Sequence, residues 1–294
     1  IKKMKKILLI FAITAASFTI NGQVGIGTTS PEGALDIVST TTGVVFPRVA
    51  NAAAVTTPVN GMAVYDLSLN CFNFYENGVW SGCRFPLPTT TYCTGSATTI
   101  VDVTNPTTGK TWMDRNLGAT QAATSSSDAS SYGDLYQWGR FTDGHQCRTS
   151  ASVTSTSAVT TVTGINVGKF LTISTAPYLW YTGSNPDALW QRVDGINNPC
   201  PSGYRIPTKT ELENERDSWS SNNAAGAFGS PLKLPIPGER NRFNGTLTNA
   251  GVDGHYWSSS LTDIYPHHLY LHSNNTNTGV DYRAYAFSVR CVKD

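Results

Sequence analysis

The carboxylates that could work as an acid and base pair lie on a predicted helix over residues 207–218. Thr208 fits the N-cap position and Glu211 follows it by three residues, which is the pattern of a capping box. Glu211 and Glu215 lie one turn apart on a face that we expect to be exposed, while Glu213 points elsewhere. Acid and base roles require two groups that converge on one substrate atom, so a solvated helix face is the better interpretation. We therefore predict no catalytic residue.

The histidines are the next candidates, because four of the five fall late in the chain. In a strand, His268, Tyr270 and His272 share one face, while Leu269 and Leu271 point into the core. Two histidines four residues apart along a strand lie about 13 Å apart, which is too far for one metal ion. The acidic and amide side chains nearby show no spacing that would hold calcium. We predict neither a bound metal nor a cofactor.

The segment over residues 261–285 is rich in Tyr, His, Asn, Asp and Thr, and it contains no Lys, Glu, Gln, Met or Trp. Tyr and Asn side chains form adaptable contact surfaces at a low entropic cost, as they do in antibody loops. We predict a ligand-binding face here, for an extracellular protein or a glycan, although a polar sheet edge without a ligand is the alternative. Its candidate residues are Tyr265, His268, Tyr270, His272, Asn274, Asn277, Tyr282 and Tyr285.

The start of the chain has the order of a secretory signal peptide. A lysine cluster over residues 2–6 is followed by an apolar run over 7–16 and a more polar stretch over 17–23. The apolar run is about ten residues long, half of what a membrane-spanning helix needs. We expect residues 1–22 to be removed, no membrane span in the mature chain, and a location outside the cell or on its outer surface.

Composition excludes some partners and indicates disulfides. The formal net charge is +1 and 14% of the residues are charged, which argues against nucleic acid and anionic membrane surfaces. An even number of cysteines in an exported chain favours disulfide bonds over metal ligation. The six are Cys71, Cys83, Cys93, Cys147, Cys200 and Cys291.

The chain reads as a small β module followed by a longer domain, and the fold class is α+β, mostly β. The module covers residues 23–84, a Pro/Thr-rich linker covers 85–91, and the second domain covers 92–294. In the module, a three-residue loop at 76–78 would pair residue 75 with residue 79 and place Cys71 opposite Cys83 for a disulfide. In the second domain, short strands are predicted over 256–260, 268–273 and 285–292, with Trp257, Phe287 and Val289 in the core.

Four sequence blocks of the second domain resemble the Fibrobacter succinogenes major paralogous (FISUMP) domain, which occurs in exported proteins of Bacteroidetes. They are WMDRNLG at 112–118, GDLYQWGR at 133–140, CPSGYRIPT at 200–208, and YWSSS at 256–260 with FSVRCV at 287–292. The FISUMP domain is similar to the C-type-lectin-like fold of formylglycine-generating enzymes, in which the two ends of the domain meet. The resemblance implies a disulfide between Cys200 and Cys291, which leaves Cys93 for Cys147 if Cys71 bonds to Cys83.

The front module resembles a leader module of exported Bacteroidetes proteins and segments of tail-fibre-like proteins. The resemblance rests on VGIGTTSP at 24–31, ALDI at 34–37, PR at 47–48 and GMAVY at 61–65. It suggests a structural or oligomerising role, and a homo-oligomer, such as a trimer, built through this module.

We therefore predict a secreted or cell-surface recognition protein that presents a binding face near its C-terminus. The composition of residues 261–285 is also what a diversity-generating retroelement produces when it randomises the adenines of AAC codons, so the face is a candidate for such variation. The alternative is a structural subunit of a surface fibre or matrix. A third hypothesis, an exported enzyme of the formylglycine-generating type, is disfavoured because no cysteine pair is placed to bind copper.

Overall fold

The structure is a computed structural model that describes residues 23–68, 71–81, 84–86, 90–159, 166–183, 186–193, 195 and 197–294. The predicted signal peptide, residues 1–22, lies outside this part of the chain. The chain divides into two compact units, residues 1–87 and 88–294. Strands account for 28% of the structure and helices for 9%, so the protein is mostly β with few helices.

The described residues of the first unit form two small sheets. The strands are β1 Val24–Ile26, β2 Leu35–Ile37, β3 Arg48–Val49, β4 Ala63–Asp66, β5 Cys71–Glu76, β6 Val79–Trp80 and β7 Arg84–Pro86. A 3-10 helix lies at Ala52–Ala54. Strands β1 and β2 form a separate parallel pair, and the other strands form one five-stranded sheet in which β7 pairs with β5.

The hairpin between β5 and β6 differs from its prediction by one residue. Tyr75 pairs with Trp80 and Glu76 pairs with Val79, so the loop has two residues rather than three. Asn77 and Gly78 both adopt positive φ angles, of 52° and 79°, which is the conformation of a type I′ turn. The predicted pairing of residue 75 with residue 79 is therefore wrong. Cys71 is disulfide-bonded, while Cys83, the partner that we predicted, lies outside the described residues.

The described residues of the second unit form short strands and two short α-helices. The strands are β8 Asp102–Thr104, β9 Thr111–Met113, β10 Tyr136–Gln137, β11 Ser152–Ser155, β12 Phe170–Ile173, β13 Tyr204–Arg205, β14 Glu239–Arg240, β15 Leu247–Thr248, β16 Gly254–Thr262, β17 Tyr265–Leu271, β18 Thr276–Val280, β19 Ala286–Phe287 and β20 Val292–Lys293. The helices are α1 Lys209–Asp217 and α2 Ala224–Gly229, with a 3-10 helix at Ala129–Ser131.

The ends of the second unit meet in one sheet, as the FISUMP resemblance implied. This sheet has the order β13-β20-β9-β8, so a strand from the end of the chain lies between strands from the middle and the start of the unit. The predicted strand over 285–292 is divided into β19 and β20, which belong to different sheets. The amide N–H groups of Met113 and Leu117 donate to the carbonyl oxygens of Cys291 and Val289 in the connecting segment.

The three-stranded antiparallel sheet β16-β17-β18 separates two parts of the core. On one face, Tyr256, Leu269 and Leu271 pack with residues of α1 and α2. On the other face, Trp257 packs against Phe287, and both are fully buried. The prediction that Trp257, Phe287 and Val289 are core residues is confirmed.

Helix α1 begins with the predicted capping box. The side chain of Thr208 accepts from the amide of Glu211, and the carboxylate of Glu211 accepts from the amide of Thr208. Burial opposes the ionisation of Glu211, but hydrogen bonds from Arg205, from the Thr208 amide and from Lys110 outweigh it and lower the pKa of Glu211 to about 2. The expectation of a solvated face is wrong for Glu215, which is fully buried and accepts from Asn105 at 2.8 Å. Its partner is 110 residues away in the chain, so no local pattern reveals it.

Two disulfide bonds connect distant parts of the second unit. Cys93 bonds to Cys147, and Cys200 bonds to Cys291. The family resemblance implied the Cys200–Cys291 pair, and the Cys93–Cys147 pair followed by elimination. The Cys200–Cys291 bond links the residue directly before β20 to the segment before β13, so it connects the last strand to the middle of the unit.

Candidate functional site

Strand β17 carries the alternation that the sequence predicted, but its polar face is partly covered. Leu269 and Leu271 are fully buried on one face, and His268 and Tyr270 occupy the other. His268 is only 6% exposed, because its ring packs against Phe287 at 5.0 Å and Trp257 at 6.0 Å. The prediction that His268 belongs to an exposed binding face is therefore wrong, since β19 covers this part of the sheet.

Tyr270 and His272 form a row of rings with His255 from the neighbouring strand. The ring centroids of His255 and Tyr270 are 4.8 Å apart, and those of Tyr270 and His272 are 6.2 Å apart. Burial, together with the charge that His268 would carry, lowers the pKa of His255 to about 3. His255 is therefore neutral at pH 7, so its ring can stack and form hydrogen bonds without carrying a positive charge.

Two acids border this row, of which Asp253 is buried and Glu239 is half-buried. Glu239 Oε2 lies 3.8 Å from His255 Nε2, and Asp253 Oδ1 lies 3.6 Å from His272 Nε2. Burial raises the pKa of Glu239, although a hydrogen bond from Thr248 partly offsets that effect. The acids give this end of the face hydrogen-bond acceptors for hydroxyl or amide groups.

The aromatic–arginine cluster, which consists of Tyr178, Arg242, Phe243, Tyr265, Tyr282 and Tyr285, lies beside this row. The guanidinium carbon of Arg242 lies 3.6 Å from the ring centroids of both Tyr178 and Phe243, and 4.5 Å from that of Tyr282. The rings continue outward through the Tyr178–Tyr282 contact at 4.7 Å and the Tyr265–Tyr282 contact at 5.6 Å. A cation stacked on aromatic rings is attracted by their quadrupoles, so these rings hold the guanidinium in place.

Tyr285 and Phe287 connect the aromatic–arginine cluster to the histidine row. Tyr285 lies 5.4 Å from the guanidinium of Arg242 and stacks on Phe287 at 5.8 Å. Phe287 in turn stacks on His255 at 4.5 Å. Contacts between rings, joined through the Arg242 guanidinium, therefore run from Phe243 to His272 along this face of the second unit.

The structure brings together most, but not all, of the predicted residues. Tyr265, Tyr270, Tyr282, Tyr285 and His272 are half-buried and belong to this continuous face. Asn277 is exposed and pairs with Tyr270 across β17 and β18, so it lies at the edge of the same face. Asn274 is exposed in the turn between β17 and β18, next to His272.

Sequence reasoning missed Tyr178, Arg242 and Phe243, which come from two loops far from residues 261–285. Phe243 is 49% exposed and follows Arg242 just before the turn residues Asn244 and Gly245. An arginine beside an aromatic residue in a turn is the only signal that could have indicated them, and it is weak. Tyr178 has a φ of +58°, a left-handed conformation that bulky residues rarely adopt. Such positions occur where surrounding structure fixes a side chain for a specific role.

A second cluster, Asp143 and His145, has the composition of a catalytic dyad but not its geometry. Asp143 Oδ1 lies 2.7 Å from His145 Nδ1. The other ring nitrogen, Nε2, accepts from the backbone amide of Gln137 at 3.1 Å. Burial lowers the pKa of His145 to about 4. Both nitrogens are occupied inside the protein, so this histidine has no position from which to take a proton from a substrate.

The first unit exposes apolar side chains along an isolated strand pair. Val24, Ile26, Leu35 and Ile37 of β1 and β2 are between 38% and 60% exposed. A two-stranded sheet by itself is at best marginally stable in water. Contiguous exposed apolar residues are typical of surfaces that contact another protein chain.

Comparison with known proteins gives one match. Residues 25–109 match the model of a protein family described as "Phage tail like trimerisation region". The matched segment covers most of the first unit and the start of the second, which is under a third of the chain. No curated protein and no solved structure matches the chain.

The family match and the disulfides are both consistent with an extracellular protein of a structural or surface-associated kind. A trimerisation region of the phage-tail type suggests a structural or surface-associated protein that forms oligomers. The disulfides of the second unit fit an extracellular protein. Among the described residues, no helix is long and apolar enough to cross a membrane, and no three metal-ligating side chains come together.

Proposed function

We propose that this chain is a secreted or cell-surface recognition protein whose aromatic–arginine cluster binds an extracellular protein or a glycan. The observation that carries the proposal is the arrangement of Tyr178, Phe243 and Tyr282 around the buried guanidinium of Arg242. Tyrosine and arginine are enriched among the residues that dominate binding energy at protein interfaces. A half-exposed cluster of these types, on a domain held by two disulfides, suits recognition outside the cell.

The cluster combines exposed apolar surface with rings that are already fixed in position, and both features favour binding. Phe243 leaves about half of its surface in water, so a ligand that covers it gains apolar burial. Nε and Nη1 of Arg242 have no hydrogen-bond partner in the described structure, so the guanidinium is held by the stacked rings, by a side-chain hydrogen bond with Tyr285 and by the charge of Asp281. Rings that are already held against one another lose little conformational entropy when a ligand arrives.

We propose that the second unit is a FISUMP domain with a C-type-lectin-like fold. The four sequence blocks support this assignment, as does the sheet in which the two ends of the unit meet. We also propose that residues 261–285 are a variable segment, because five of the cluster and row residues come from it. The neighbouring DNA tests that part: an imperfect repeat of the gene's 3′ end that differs at adenines, beside a reverse transcriptase gene, is expected, and its absence refutes the variation.

We propose that the first unit assembles the chain into a homo-oligomer, with a trimer as the expected form. The family match and the exposed apolar side chains of β1 and β2 support it. Joining several binding faces on one particle raises the apparent affinity without any new contact, because the second binding event becomes intramolecular. Oligomerisation through the first unit would therefore strengthen recognition by the second.

A structural subunit of a surface fibre or matrix is the second candidate function, and the trimerisation match favours it. In that case oligomers form through the first unit, but the aromatic–arginine cluster has no ligand. We propose a binding or structural role rather than a catalytic one. An enzyme of the formylglycine-generating type would bind copper, so copper found in stoichiometric amount by metal analysis of the purified protein would refute this.

Binding is tested with the full mature chain on a glycan array and on immobilised mucin, collagen and fibronectin. The variants Phe243→Ser and Tyr282→Ala are expected to reduce the affinity for any probe that binds by tenfold or more, since each removes a ring of the cluster. Tyr92→Ser is the matched control, because Tyr92 is 44% exposed but lies outside the cluster. If no probe binds, or if both cluster variants bind like the control, the site is wrongly assigned.

Oligomerisation is tested by light scattering of the same full mature chain. The expected mass is that of a trimer, and Ile26→Asp with Leu35→Asp is expected to shift it towards the monomer, because each change places a charge on the exposed apolar strand pair. Val280→Asp, a change at a similarly exposed residue of the second unit, is the control and should leave the mass unchanged. A monomeric wild-type protein would contradict the proposed assembly.

A further inference from the structure

A cavity of about 180 Å³ lies in the second unit, away from the aromatic–arginine cluster. Its aromatic lining comes from Tyr92, Tyr136 and Phe141, and both disulfides contribute to its wall through Cys93 and Cys200. Cross-linked walls of this kind hold a cavity open and of constant shape. For comparison, an apolar cavity of about 150 Å³ in another protein accommodates benzene, so a ligand here has up to about eight non-hydrogen atoms.

Asp134 lines the cavity and has no partner for its charge in contact with it. Its side chain is 6% exposed, and within the described structure its carboxylate accepts no hydrogen bond. Burial raises the pKa of Asp134 to about 7, and the positive charge of Arg148 offsets only part of that rise. The guanidinium of Arg148 is already engaged, since it donates to the carbonyl oxygens of Gly133 at 2.7 Å and Pro237 at 2.9 Å.

The backbone around Asp134 fixes the carboxylate in this position. The amide of Asp134 donates to the carbonyl oxygen of Leu117 at 2.8 Å. Gly118, with a φ of +78°, lies directly under the carboxyl group, and a Cβ atom at this position would come within 2.2 Å of the carboxyl carbon of Asp134. An unpaired buried carboxylate is energetically costly. Because the backbone around Asp134 nevertheless holds one in place, we expect this carboxylate to have a functional role.

The chemistry of the lining defines the ligand. A carboxylate repels anions and attracts cations, and aromatic rings bind ammonium groups through their negative faces. We propose that the Asp134 cavity binds a small organic cation, an ammonium compound of up to about eight non-hydrogen atoms, with the Asp134 carboxylate as its counter-ion. This site is independent of the aromatic–arginine cluster and of the oligomeric state.

Choline and its neutral carbon isostere, 3,3-dimethylbutan-1-ol, test the proposal in calorimetric titrations of the full mature chain at pH 8.5. Choline is expected to bind at least tenfold more tightly than the isostere, because only the cation interacts with the carboxylate. Equal binding of the two would show that the cavity is merely apolar. Absence of choline binding would also overturn the proposal.

Variants of single residues then locate the binding site. Asp134→Asn is expected to weaken choline binding by tenfold or more, and Asp217→Asn, at an exposed carboxylate on α1, is the matched control. Tyr92→Ser removes one aromatic ring from the cavity wall, and the protein should still fold because Tyr92 is already 44% exposed. This variant therefore tests the site independently if Asp134→Asn fails to fold. Choline binding that survives both cavity variants refutes the site.

The pH dependence gives a further test. Because only the ionised carboxyl group can act as counter-ion, and its pKa is about 7, the affinity for choline is expected to fall about thirtyfold between pH 8.5 and pH 5.5. An affinity that does not change with pH would exclude Asp134 as the counter-ion. Phe243→Ser is expected to leave choline binding intact, so failure of this proposal and failure of the recognition surface are distinguishable.

Discussion

The burial of His268 predicts that this residue makes the second unit less stable in acid. Its ring is 6% exposed and packs against Phe287 and Trp257, and its Nδ1 has no hydrogen-bond partner among the described residues. Burial, with a smaller effect of the charge on His267, lowers the pKa of His268 from 6.5 to about 4. The substitution His268→Phe keeps a ring of similar shape and removes the titration.

The sign and size of the effect follow from proton linkage. The unfolded chain takes up a proton at His268 near pH 6.5, whereas the folded chain resists it until about pH 4. The contribution of His268 to the free energy of unfolding is therefore fully present above pH 6.5. It decreases as the pH falls from 6.5 towards 4. At pH 5 the loss is about 2 kcal/mol relative to pH 8, and it approaches about 3 kcal/mol below pH 4.

Urea denaturation of the full mature chain at pH 8, 6.5 and 5 measures this loss. Between pH 8 and pH 5 the free energy of unfolding of the second unit should fall by about 2 kcal/mol more in the wild type than in His268→Phe. Titrating groups that do not interact with His268 are present in both proteins and cancel in the difference. His272→Phe is the control, because His272 is 33% exposed on the same strand face and the wild-type slope should persist. Identical slopes for His268→Phe and the wild type would refute the burial of this ring.

Replacing Cys200 and Cys291 together by Ala should lower the free energy of unfolding by about 4 to 5 kcal/mol, because the bond closes a separation of 91 residues. Thermal denaturation without reductant checks this, and a loss below about 1 kcal/mol would contradict it. Glu211→Gln should destabilise the second unit by about 3 kcal/mol at pH 7, and the difference should disappear as the pH falls from 4.5 towards 2, where the wild-type carboxylate is protonated. Urea titration across that range, with the exposed Asp217→Asn as control, would disprove the role of the capping box and ion pair if both variants behaved alike. Gly118→Ala should prevent or severely weaken folding, whereas Gly203→Ala, also at positive φ but with open space around it, should cost only about 1 kcal/mol. Circular dichroism melting curves distinguish them, and equal melting temperatures would show that the carboxyl group of Asp134 does not lie over Gly118.

Local features were predictable from the sequence because they depend on neighbours in the chain. The capping box needs only Thr208 and Glu211, three residues apart, and the structure has it. The alternation along β17 correctly placed Leu269 and Leu271 in the core. The predicted loop of the hairpin at Asn77 and Gly78 was one residue too long, because two left-handed residues in succession select the shorter turn.

The candidate site could be predicted only in part. Residues 261–285 contributed Tyr265, Tyr282 and Tyr285, since an aromatic and polar composition is visible in the sequence itself. Arg242 came from a different loop and was invisible, because its environment consists of rings from separate segments. His268 shared the predicted face, but no sequence pattern shows that β19 lies over it.

The sequence by itself therefore determined the β-rich character, the helix start and the alternating strand, all of which depend on residue type and short spacing. Only the tertiary structure decided which polar side chains are buried. Glu215, His268 and Asp134 are all titratable residues of the kind that normally face water, and each is buried by segments distant in the chain. The physical reason is that a side chain's exposure is set by long-range packing, which the residues beside it do not encode.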